Sequence, residues 1–289
     1  MITNYIKPDY SNLRSFVINL DDYRENYEKQ LPYLQSIGLK PERFSGVNAL
    51  KDEHLNPEYK QYISKFALNF TPKSVIGCAV SHILCCEHIY DNYMTCENNP
   101  QQYFLIMEDD AFPKYNKIEF YEILNKTISD ITILDINWEL IQLFKIGIID
   151  TYDTYTSHIL HGSTAAYLIN INGIKKIIKS KIYNHIDLFT YNSFSFKKYN
   201  SKKDLFYTIE EKSTTRSMNN NYSKFYISNI IQFLLHKYLK QYLINKDFSY
   251  DKLFQFKLFK LPNFKKEYTI NELIDILFGL FFIKKIIKF

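Results

Sequence analysis

Two short apolar runs bracket a segment of helical periodicity, and this arrangement restricts the chain to few folds. Ser15 to Leu20 (SFVINL) is rich in β-branched residues and reads as a buried strand. It stops at Asp21-Asp22. Behind it, Tyr23, Tyr27, Leu31 and Leu34 recur at helical spacing, with Gly38 placed to stop the helix. Pro32 is expected to kink that helix or split it. PERFSGVNAL follows as a second strand. Strand, helix, strand at this spacing predicts the opening of a parallel α/β sheet.

The same grammar continues. Thr71-Pro72 announces a helix, Thr as N-cap and Pro in the first turn, running from Pro72 to about Met94. Tyr103 to Met107 is a further buried strand, and it ends abruptly in Glu108-Asp109-Asp110. Trp138 to Phe144 and Thr164 to Ile169 read as strands, and Asn172 to Lys181 as a basic helix. From Tyr222 onward the pattern changes. Ile227 to Tyr242 and Asn271 to Lys288 are apolar and helix-like, while KLFQFKLFKL between them fits helix or strand. The expected division is a body over 1–222 and a mainly helical appendage over 223–289.

Charge follows the same division. The whole chain carries +5, but Ser223 to Phe289 holds twelve Lys against five acidic residues. A basic, aromatic tail suits a membrane surface or an anionic partner, and equally the wet faces of ordinary helices. Only four Arg occur, and Arg is the preferred reader of bases, so nucleic acid is not an expected partner. Cysteines stand at 78, 85, 86 and 96, too clustered for a disulfide framework, which favours reduced thiols. The start of the chain lacks signal-peptide regions, and no apolar run approaches the ~20 residues that span a bilayer. A cytoplasmic protein, with peripheral membrane contact as an option, is the expectation.

Three adjacent carboxylates repel one another unless solvent or a cation offsets the charge. Open α/β sheets bind ligands beyond the carboxyl ends of their strands, which is where Glu108, Asp109 and Asp110 fall. A hard divalent ion with oxygen ligands suits them, and such an ion also grips a diphosphate. Strand alternation would send Glu108 and Asp110 to one side, as the metal pair. Acids at a solvated strand end explain the cluster too. His82, Cys85, Cys86 and His88 invite a zinc reading, but they fan over more than one helix face and are rejected as a set.

Taken in order, FVINLDDYRENYEKQL, ERFSGVNA, IGCAVSHI, FLIMEDDA, WELIQLF, GSTAAYLININGIKKI and HIDLF resemble the family 25 glycosyltransferases, which include lipooligosaccharide and collagen galactosyltransferases. The resemblance runs from about Phe16 to Phe189. It implies a GT-A-like fold with a mostly parallel sheet and a UDP-sugar donor, usually UDP-galactose. It also implies Mn²⁺ (or Mg²⁺), and inverting transfer to a hydroxyl of a glycan, glycolipid or protein. A module of the same fold that binds nucleotide-sugar without transferring it is the alternative.

Matched residue by residue, the resemblance puts Asn19 and Arg24 near the nucleotide, with a surface salt bridge as the plain role for Arg24. Gly77, Ser81 and His82 match a G-C-A-x-S-H segment on the donor side, joined there by Glu108 and Asp109. Asp187 in HIDLF is implied as the base that takes the acceptor's proton; an N-cap is its plain alternative. The family usually has Pro-Val-Asp where this chain has His185-Ile186-Asp187. Gly162, Ser163 and Thr164, which precede the AAYLI strand, are expected on the acceptor side. Tyr167 and the single Trp138 are expected in the core.

Overall fold

The computed structural model describes residues 13–50, 57–63, 73–93, 103–144, 163–179 and 197–209, with the backbone of 257–260 and 267–269. The opening unit is a strand, a helix and a second strand: β1 (Ser15–Asn19), α1 (Arg24–Ser36) and β2 (Glu42–Ser45). Gly38, at φ 86°, ends the helical segment, with Gly38 N–H donating to Gln35 O at 2.9 Å and Leu39 N–H to Leu34 O at 3.0 Å. This paired closure satisfies the last carbonyls and needs the left-handed backbone that glycine adopts without strain. α1 continues through Pro32 and is not split there. Pro32 lies on the exposed face of the helix, where water can satisfy the carbonyl that its missing N–H leaves behind.

The long helix α2 (Lys73–Tyr93) leads to β3 (Tyr103–Glu108), then a turn and the short β4 (Ala111–Pro113). Next come α3 (Lys117–Leu134), β5 (Leu140–Gln142), β6 (Ala166–Asn170) and α4 (Ile171–Ile178). The body closes with β7 (Lys198–Asn200) and β8 (Phe206–Thr208). The main sheet has six strands in the order β2-β1-β3-β6-β5-β7. Pairings β1/β2, β1/β3 and β5/β7 are parallel, whereas β6 runs against both β3 and β5. The sheet is therefore mostly parallel with a single reversed strand, an α/β fold as expected. A small second sheet pairs β4 with β8.

Strand alternation distributes the core over both faces of the sheet. Val17, Leu105, Met107 and Leu168 pack with Leu34, Phe120 and Leu124 from α1 and α3. Phe16, Ile18, Phe104, Ile106 and Ile169 pack with Ile76, Val80 and Ile83 from α2 and Ile174 from α4. A sheet covered on both faces needs runs that are apolar throughout, which is the pattern that SFVINL and YFLIM show. Trp138 is buried, its Nε1 donating to Thr132 Oγ1 at 3.0 Å, and belongs to the core as expected. Cys85 and Cys86 are buried residues of α2 itself, and neither they nor Cys78 form a disulfide. Among the described residues no helix is long and apolar enough to cross a membrane.

In the appendage, β9 (Lys257–Lys260) pairs antiparallel with β10 (Glu267–Thr269), so part of the segment that fitted helix or strand is strand. The two helices expected there, and the caps Thr71-Pro72, lie outside the described residues.

Candidate functional site

The chain leaves β1 toward β2 on one side, and leaves β3 toward β6 and β5 on the other. Between β1 and β3 the order of connection reverses, and this is where an open α/β sheet leaves a crevice beyond its strand ends. A pocket lies there. Ile18 and Leu20 form part of one wall, and its polar lining includes Asn48, Cys78, Ser81, His82, Glu108 and Asp109.

The acidic turn is held from below. Gln30, fully buried on α1, donates through Nε2 to the carbonyls of Glu108 at 2.8 Å and Ala111 at 2.5 Å. Asn19 at the end of β1 donates through Nδ2 to Asp109 Oδ2 at 2.6 Å and to Tyr23 O at 2.8 Å. Its Oδ1 accepts from Arg43 Nε at 2.7 Å. Arg43, on β2, also meets Asp21 Oδ1 at 2.6 Å. Hydrogen bonds from Arg43 and Ser45 hold the Asp21 carboxyl below its usual range. The result is a relay of Asp21, Arg43, Asn19 and Asp109 across three strand ends. Asn19 is spent on orienting a carboxylate.

Burial pushes the Asp109 carboxyl up to about 6, against the hydrogen bonds from Asn19 and Asn26 and with help from the Glu108 charge. A buried carboxylate beside a second one is costly unless a cation accompanies it. Glu108 is fixed differently. Its Oε1 accepts from Thr164 Oγ1 at 2.7 Å and lies 3.4 Å from His82 Nε2. His82 is fully buried, and its Nδ1 pairs with Tyr167 Oη at 2.9 Å.

Gly77 and Ser81 set the opposite wall. A Cβ on Gly77 would stand 2.6 Å from the Val47 carbonyl oxygen, so α2 touches the 46–49 loop backbone to backbone. Ser81 Oγ accepts from Val47 N at 2.8 Å and donates to Gly77 O at 2.7 Å, pinning the same loop.

Glu108, Asp109, Ser81 and His82 thus converge on one pocket, with Asn19 and Gly77 supporting it from behind. Asp110 is not among the pocket-lining residues. β3 ends at Glu108, so strand alternation does not extend to Asp110, and Asp109 is the acid beside Glu108 in the pocket. Arg24 is two-thirds exposed and pairs with Glu28 at 3.3 Å, the ordinary i,i+4 ion pair of a helix surface. Such pairs contribute about 0.3–0.5 kcal/mol. Arg24→Ala is therefore expected to shift a urea unfolding midpoint barely, with a stability change below about 0.5 kcal/mol. Asp187 lies outside the described residues.

Gln30, Arg43 and Cys78 belong to the site although no sequence pattern singled them out. Only Cys78 carries a usable signal, its i,i+4 spacing to His82, which puts both on one helix face. The rejected zinc set fares as expected. Cys85 and Cys86 are core residues, and His88 turns to Glu42 at 2.7 Å.

A comparison with curated proteins finds no match. Residues 12–190, more than half of the chain, match the family described as glycosyltransferase family 25 (LPS biosynthesis protein). That span contains the whole pocket just described, and the chain belongs to this family of glycosyltransferases.

Proposed function

We propose that the protein moves a sugar, with galactose the first candidate, from a UDP-sugar to a hydroxyl of a glycan, glycolipid or protein acceptor, with inversion, on a GT-A-like fold. The observation that carries this reading is the carboxylate pair Glu108 and Asp109 in a pocket at the topological switch between β1 and β3. Membership of a glycosyltransferase family supports transfer, and the position of the acids supports a diphosphate-bearing donor.

A hard divalent cation fits these two acids. Mg²⁺ is commonly held by one or two carboxylates and the oxygens of a substrate's phosphates, and Mn²⁺ shares the preference for oxygen. Glu108 and Asp109 are the residues that would hold it, and when bound it would offset charge on the departing nucleoside diphosphate. The raised Asp109 carboxyl supports this reading, because a cation is what makes ionising it favourable.

The chain's own residues supply the rest. Asn19, held by Arg43, and Gln30, under the turn, keep the two acids in place before any ligand arrives. Thr164 fixes one Glu108 oxygen. In the transfer, the acceptor oxygen bonds to the anomeric carbon, the bond from that carbon to the phosphate oxygen breaks, and UDP leaves with the electron pair. The acceptor's proton goes to a base, for which Asp187 remains the candidate through its match to the family pattern.

Purified protein incubated with UDP-galactose or UDP-glucose and Mn²⁺ tests the reading through release of UDP as the sugar passes to water or to an added acceptor. Mn²⁺-dependent release that is lost in Glu108→Gln supports transfer. Tight UDP binding without release from any donor would point to the non-transferring module, and neither binding nor release would sink both.

A further inference from the structure

The pocket holds a second, softer set of donors. Among the described residues, one group of three metal-ligating side chains converges: Cys78, His82 and Glu108, whose ligand atoms all lie within 4.8 Å of one another. Cys78 and His82 stand one turn apart on α2, and Glu108 reaches them from the end of β3. From this arrangement the geometry points to a binding site for Zn²⁺, or a similar borderline-soft ion, formed by Cys78 Sγ, His82 Nε2 and a Glu108 carboxylate oxygen.

His82 supplies the independent observation. Its ring is fully buried, yet Nε2 has no hydrogen-bond partner and sits 3.4 Å from Glu108 Oε1. A buried ring nitrogen left in this state costs free energy unless something accepts its lone pair or its proton. The other nitrogen, Nδ1, is taken by Tyr167 Oη at 2.9 Å. Second-shell bonds of this kind orient metal-bound histidines. With Nδ1–H donated to Tyr167, the Nε2 lone pair faces Cys78 and Glu108.

The donor types select the ion. Thiolate and imidazole favour zinc over magnesium or calcium, and three protein ligands leave the fourth tetrahedral position to the pocket. Binding converts the Cys78 thiol to thiolate and releases its proton. Glu108 belongs to this set and to the proposed donor-linked pair, so zinc and a hard, diphosphate-bound ion exclude each other there. That consequence rests on the proposed function, whereas the zinc site itself does not.

The test is spectroscopic and needs no transfer activity. Metal-depleted full-length protein, kept reduced, is titrated with Zn²⁺ against a chromophoric chelator, and with Co²⁺ while its absorption is recorded. One equivalent of zinc is expected to bind. The cobalt form is expected to show intense tetrahedral bands and a thiolate-to-cobalt charge-transfer band. Cys78→Ser should lose that band and weaken zinc by at least about 100-fold, while Glu108→Gln weakens zinc and keeps the band. A cobalt spectrum of the parent protein without a thiolate band would overturn the site, and this readout stands even if the serine variant fails to fold. Unchanged zinc affinity in a folded Cys78→Ser protein would overturn it equally.

Discussion

Asp109→Asn is expected to lower donor turnover at least about 100-fold while leaving the protein as stable as the parent at neutral pH, or more stable. The two halves of this result come from one cause. Burial holds the Asp109 carboxyl up at about 6, so keeping it ionised at pH 7 works against folding. The sign is definite: between the unfolded value near 3.8 and about 6, the folded protein holds more protons than the unfolded chain. Stability contributed by this group therefore falls as pH rises through that window. An amide of the same shape removes the charge and can still accept from Asn19 Nδ2, now 2.6 Å from Asp109 Oδ2. Thermal unfolding at pH 7 and UDP release from the donor measure the two halves. A variant that unfolds well below the parent would show that Asp109 is a structural acid, held for the sake of the Asn19 and Arg43 relay.

Gly77→Ala is expected to cost stability and ligand binding together. An alanine in place of a helical glycine ordinarily gains up to about 1 kcal/mol. Here the added methyl would sit 2.6 Å from the Val47 carbonyl oxygen and 3.2 Å from both Ala49 N and Ala49 Cβ. The obstruction is backbone, so no side-chain rotation relieves it. Overpacking of this kind costs typically about 1–3 kcal/mol, enough to outweigh the propensity gain. Relaxation would push the 46–49 loop outward, against the hydrogen bond from Val47 N to Ser81 Oγ at 2.8 Å. Asn48 on that loop lines the pocket, so affinity for UDP should fall too. Urea unfolding and UDP titration of the same preparation check both effects, and a stabilised variant with normal affinity would refute the packing argument.

Much of this architecture is legible in the amino-acid sequence alone. Periods of apolar residues, stop signals such as Gly38, and strands that end in acids are local properties. They place β1, α1, β2, α2 and β3 within a few residues of where they lie. Which acid enters the pocket is not local. It depends on β3 ending at Glu108, after which the backbone turns and the two-residue alternation no longer holds. Arg43 and Gln30 escape for a related reason. Arg43 meets Asn19 across 24 residues of sequence and Gln30 meets the Glu108 carbonyl across 78. No periodicity reports contacts of that kind. Arg24 shows the converse, a residue that matches a family pattern and nevertheless spends its charge on the neighbouring turn of its own helix.

Whether the β1/β3 pocket is a nucleotide-sugar site built on Glu108 and Asp109 is tested by a calorimetric titration with UDP in the presence and absence of Mn²⁺. It is run on the parent protein and on Glu108→Gln. Binding is expected to require the metal and to disappear in the variant, whose fold stays intact by circular dichroism. Metal-dependent binding of equal affinity in both proteins would place the nucleotide elsewhere on the chain and rule out Glu108 as part of its site.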